Sequence, residues 1–230
     1  MTVRREPMSR RERPAKPALS RPGIVDTAVR IMRAEGLDKV TMRRLAQELD
    51  TGPASLYVYV SNTAELHAAV LDALLGEVDL AAEGGEENWR EQLMAVLTSY
   101  TMVLFQHPQL ARSALVARPS GENYLRLLNR ILDLLSRSGA AVEQVAWGVD
   151  KLLQTATATA AEHSARKGDP AAQEDWDALT GVLHSVDENT HPAVRAHMPA
   201  LIGGAGERLR WGFEVLINGI TSTPVPRGDS

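Results

Sequence analysis

Residues 41–66 read TMRRLAQELDTGPASLYVYVSNTAEL, and these 26 positions hold two helix starts, one tight break and two closely spaced tyrosines. Thr41 is of the N-cap type, and Met42, Leu45, Ala46 and Leu49 follow it at the spacing of one helical face. Asp50-Thr51-Gly52 forms a turn, and Pro53 suits the first position of the next helix, where a missing N–H costs little. Ser61 or Asn62 caps a further helix carrying Leu66, Val70, Leu71, Leu74 and Val78. Two short helices joined by a tight turn are a helix-turn-helix, whose second helix can lie in the major groove of DNA with its first residues facing base edges.

On that second helix Leu56 and Val60, four residues apart, are expected to face inward. Pro53, Ser55, Val58 and Tyr59 then face outward, with Ala54 and Tyr57 at the margins. Outward Ala54 and Val58 suit a thymine methyl, while Ser55 and the tyrosine hydroxyls suit phosphate oxygens. A competing reading makes the tyrosines ordinary packing residues, ring buried and hydroxyl wet. For Tyr57 both readings stay open; for Tyr59 the outward one is expected.

Upstream, Ile24, Ala28 and Ile31 form one stripe with Val25 and Met32 beside it, and Gly36 stands where a left-handed residue ends a helix. Residues 1–19 are rich in Arg and Pro, have no apolar period, and are read as an arm without fixed structure. Residues 1–66 carry 12 Lys/Arg against 8 Asp/Glu, which leaves 13 against 21 for residues 67–230 out of totals of 25 and 29. A basic front on an acidic body fits either a polyanion site confined to the N-terminal part or a solvated basic tail.

Downstream of AAEGGEEN, an acidic linker at 81–88, the pattern stays helical over about 89–106, 108–116, 121–137, 141–164, 174–186 and 205–220. No alternating strand pattern and no internal repeat interrupts it, so the fold class is all-α. The chain is 44% hydrophobic and 23% charged, which is ordinary globular material. It has no Cys, which excludes disulfides and Cys-based zinc sites and suits a reducing cytosol. No apolar segment follows the basic N-terminus, so a secretory signal is not expected. Residues 92–111 carry no charge, yet Thr98, Ser99, Tyr100, Thr101 and Pro108 among others break the run, so a buried helix is expected there rather than a membrane span.

The opening stretch, preceded by IVDTAVRIMRAEGLDKV, resembles the DNA-binding domain of TetR-family transcriptional repressors over about residues 20–75. The marks are Gly36-Leu37, Thr41, Leu45-Ala46, Leu56-Tyr57 and the helix start from Asn62 to Leu66. The resemblance implies that Thr41 and Arg43 contact DNA from the second helix. It places Pro53, Ala54 and Val58 near base edges, Ser55 and Tyr59 on phosphate, and Tyr57 within reach of either. The chain departs from the family in three places: Asp50 replaces a usual Gly, Val60 a usual aromatic, and Thr63 a usual Lys that contacts phosphate. Thr63 offers only a weaker neutral contact. Arginines of the arm, Arg10, Arg11 and Arg13 foremost, are candidates to replace that Lys by entering an adjacent minor groove; an inert tail is the alternative.

The remainder has the length and helix content of the family's effector-binding and dimerisation domain, nearest to the tetracycline-repressor-like branch. Tyr100 and Leu104 are expected to face a cavity, with Tyr124, Leu128, Trp147, Lys151 and Gln154 as facing walls. Trp147 also reads as plain core, and Thr98 and Ser99 as hydroxyls bonded back to their own helix. Ala-rich residues 152–163, with Thr155 and Thr159, and a stripe of Leu209, Phe213, Leu216 and Ile220 match the two elements the family uses for a homodimer's four-helix interface. Each also fits intrachain core. The expected division is an arm at 1–19, a DNA-binding domain at 20–66, an effector and dimer domain at 67–222 and a tail at 223–230.

The six His show no metal-ligand spacing, and no nucleophile elbow, P-loop or dinucleotide fingerprint occurs. The family's magnesium-holding His corresponds to Ala114 or a neighbour, so no metal, no cofactor and no tetracycline are expected. The expected protein is a cytoplasmic bacterial repressor, not an enzyme, released from a palindromic operator by a small-molecule effector. An activator, a regulator controlled by a protein partner, and a helical enzyme or binding module retaining the N-terminal fold are the alternatives.

Overall fold

A computed structural model describes residues 18–81, 88–115, 119–166, 169–203 and 205–226. The arm with Arg10, Arg11 and Arg13, most of the acidic linker and residues 227–230 lie outside the described residues. The described residues form eleven α-helices and no strand.

Helix α1 (Arg21–Glu35) starts at Ser20, whose hydroxyl accepts the Gly23 N–H, and ends at Gly36, whose φ of 92° lies where L side chains are strained. A 3-10 turn (Leu37–Lys39) leads to α2 (Met42–Glu48), capped by Thr41 as its side-chain type predicts. Asp50, with φ 47°, supplies the left-handed residue that turns the chain into α3 (Pro53–Leu56). Helix α4 (Thr63–Leu75) is capped by Asn62, which accepts the Glu65 N–H at 2.8 Å, while Glu65 reaches back to the Ser61 N–H.

The larger unit comprises α5 (Trp89–Gln106), α6 (Pro108–Ala114), α7 (Glu122–Ser136), α8 (Val142–Arg166), α9 (Pro170–Ser185), α10 (Pro192–Ile202) and α11 (Ala205–Ser222). Helices α5, α7 and α8 pack together, α6 closes on α8, and α11 lies along α8 and α5. The residues of α5 from Gln92 to Leu104 are buried on most sides, which explains their lack of charge without a membrane. No helix among the described residues is long and apolar enough to cross one.

Helix α4 packs on α1 and also on α7, so the boundary expected at residue 66 falls inside it. The buried residues of both units join in one apolar cluster. Polar contacts reinforce the junction as well. Arg33 of α1 pairs with Glu77 after α4, and the Gln109 side chain of α6 accepts the Leu37 N–H and donates to Asp38.

Two helices differ from expectation. Helix α9 begins at Pro170 rather than 174, because Asp169 caps it and Pro170 occupies its first turn. Helix α10 has no counterpart among the expected helices; it runs to Ile202 with Pro199 in its interior. The α9–α10 pair packs on itself and lightly on α8, and neither helix contains a buried residue.

Candidate nucleic-acid interface and ligand pocket

The helix-turn-helix follows from its caps. Leu56 is 0% and Val60 1% exposed, anchoring the second helix as their spacing requires. Pro53, Ala54, Ser55, Tyr57 and Val58 are exposed, Val58 at 80% and Tyr57 at 53%. Thr41, Arg43 and Thr63 are exposed at the starts of α2 and α4. Thr41 Oγ1 accepts the Arg44 N–H at 3.2 Å, which leaves its own proton available for a phosphate. The neighbouring arginines have different surroundings. Arg44 is held by Glu35 and Glu48, and its hydrogen bond holds the Glu35 carboxyl below the usual carboxylate range. Arg43 remains exposed to solvent.

Tyr59 does not face outward as expected. Its ring packs against the core and its hydroxyl donates to the Leu19 carbonyl at 2.9 Å. The tyrosine pair therefore splits, Tyr57 on the surface and Tyr59 tying the chain entering α1 to the end of the recognition segment. A helix of only four residues hands Tyr59 to a turn, so helical spacing misplaces it.

A cleft of about 440 Å³ opens between α4, α6, α7 and α8. Tyr100, Tyr124, Leu128 and Gln154 line it as expected. Leu104 does not, being 1% exposed inside the core. Trp147 and Lys151 do not line it: Trp147 is 58% exposed, so it is not core either, and the exposed Lys151 amine donates to the cleft residue Gln154 at 3.1 Å. The α8 wall is instead Ala146, Val149, Asp150, Leu153 and Thr157, about a quarter turn round from the expected face. Leu71 and Leu75 of α4 complete the wall, a contribution hidden in the sequence because both also fit a simple core stripe.

Of the α5 hydroxyls, Thr98 and Thr101 bond back to Met94 and Leu97 carbonyls, while Ser99 accepts the Asp79 N–H. Tyr100 is the one that reaches the cleft wall. Thr157 gives its proton to the Leu153 carbonyl, so the Tyr100 hydroxyl, 2.8 Å away, donates to Thr157. Burial pushes the Tyr100 phenol up, keeping it a neutral donor.

The α11 stripe also turns inward. Phe213 is 0% exposed, and Leu209, Leu216 and Ile220 pack against the chain's own core. The opposite side of α11 carries Trp211 and Val215, 66% and 46% exposed. Thr155 and Thr159 are half-buried on α8. Among the described residues no group of three His, Asp or Glu is placed to hold a metal ion.

The match to known proteins is extensive. Residues 24–70 match the model of bacterial regulatory proteins of the tetR family, and residues 82–223 that of the tetracyclin repressor-like C-terminal domain. The chain belongs to the TetR family. It is similar to an HTH-type transcriptional regulator of Saccharopolyspora erythraea, 29% identical over 90% of this chain and 87% of that one. Among solved structures it is similar to SCO7704 from Streptomyces, with 70% identity, 93% and 100% of the two chains covered and a TM-score of 0.76. The TetR protein ActR of Streptomyces coelicolor, in complex with actinorhodin, is 36% identical over 89% of this chain and 96% of that one, with a TM-score of 0.79. TetR-family membership makes the chain a DNA-binding transcriptional regulator rather than an enzyme.

Proposed function

We propose that this regulator is a cytoplasmic homodimer that represses from a palindromic operator and is released by a small molecule in the 440 Å³ cleft. The observation that carries the reading is that α4, which leaves the recognition segment, also forms a wall of that cleft through Leu71 and Leu75. An occupant that favours another placement of α4 shifts the population away from the DNA-competent spacing of about 34–36 Å between half-sites. The cleft favours small-molecule control over a protein partner, its volume lying within the range of ligand sites. ActR, which has been solved in complex with actinorhodin, supports a small-molecule effector. Thr41, Arg43, Ser55 and Thr63 are assigned to the DNA backbone, Pro53, Ala54 and Val58 to base edges, and Tyr57 to either. Tyr59 acts through Leu19 by holding the root of the arm.

Selection from a random duplex library at near-physiological salt tests the reading. A palindrome with half-sites one turn apart is expected; retention without sequence preference, lost at moderate salt, defeats it. Deleting residues 1–17 is expected to weaken operator binding and flatten its salt dependence by about one unit for each phosphate that the arm neutralises. Equal affinity and slope would leave the arm inert.

The dimer face is assigned to the outer sides of α8 and α11, where Trp147, Trp211 and Val215 are exposed. The pair Trp147→Glu and Trp211→Glu is expected to shift sedimentation from dimer to monomer while helix content stays the same. A double variant that remains dimeric removes these residues from the interface.

A further inference from the structure

Helix α7 begins at Gly121, an N-cap residue with no side chain to offer. Its acceptor comes from another helix. Asp72 of α4 takes the Tyr124 N–H on Oδ1 at 2.9 Å, and the Asn123 amide donates to its Oδ2 at 3.4 Å. Tyr124 is the third residue of α7, so Asp72 makes the bond an N-cap Asp would make, at the positive end of the helix dipole. Gly121 admits the carboxylate, since a Cβ there would lie 2.2 Å from it.

Tyr124 serves both sides of this junction, with its N–H on Asp72 and its ring in the cleft wall. Leu71, adjacent to Asp72, and Leu75 belong to the same wall. We propose that Asp72 is the positioning residue that couples occupancy of the cleft to the recognition helix. An occupant that displaces Tyr124 displaces its N–H; Asp72 follows, and α4 carries the movement to its start at Asn62, two residues beyond the buried Val60.

The inference rests on the effector reading of the cleft, and a built-in occupant separates the two. Leu128→Trp places an indole in the cleft one turn along α7 from Tyr124, and affinity for the selected operator is measured with and without Asp72. Leu128→Trp is expected to weaken operator binding by about tenfold in the wild-type background. In Asp72→Ala the same substitution is expected to change it by less than about twofold. Gly121→Ala, which displaces the carboxylate, should reproduce Asp72→Ala, and Asp72→Asn, which keeps an acceptor oxygen, should retain most of the coupling. An equal loss with and without Asp72, and in Gly121→Ala, overturns the role of Asp72 and leaves the effector reading standing. No loss from Leu128→Trp in the wild type overturns both.

Discussion

Replacing Val58 by Glu is expected to lower operator affinity by about 100-fold or more while leaving stability within about 0.5 kcal/mol of wild type. Val58 is 80% exposed, so the core gains and loses almost nothing. In the proposed DNA complex the same position would face base edges, so the change removes an apolar contact and brings a carboxylate among phosphates. Titration of the selected operator, alongside thermal melting, reads both quantities. A variant that melts like wild type and binds as tightly would move the recognition surface off α3.

Phe213→Ala has the opposite profile. The ring is 0% exposed inside the monomer, and truncating a buried Phe costs about 3–5 kcal/mol through lost burial and the cavity left behind. That is a large part of the roughly 5–15 kcal/mol typical of a folded domain, so the urea midpoint should fall steeply. A loss below about 1 kcal/mol would return Phe213 to a surface role.

The helix-turn-helix was legible because each of its determinants is local. Thr41, Asp50, Pro53 and Asn62 act within three or four residues of themselves, and the structure places all four in the conformations their side chains favour. The cleft was legible only in part. Tyr100, Tyr124, Leu128 and Gln154 carry a polar atom or an apolar stripe toward it, whereas the α8 wall depends on helix rotation. On α8 the small residues from Ala156 to Ala161 pack as readily on one side as the other, so the hydrophobicity of Trp147 points inward while the residue itself lies outside. The 4-3-4 spacing of Leu209, Phe213, Leu216 and Ile220 marks a buried stripe but does not say whose core it enters. Helix α10 (Pro192–Ile202) was not read from the sequence: it carries Pro199 in its interior and no buried residue that would mark a face.

Helix α4 gives its buried Leu66 and Val70 to the unit it shares with α1, and Leu71 and Leu75 to the cleft beside α7. Neither unit keeps a complete wall once the other has melted. Calorimetry on the intact chain should therefore record one cooperative transition. A fragment cut at residue 66 loses the C-terminal two turns and more of that helix, and with them the hydrophobic closure on which independent folding depends.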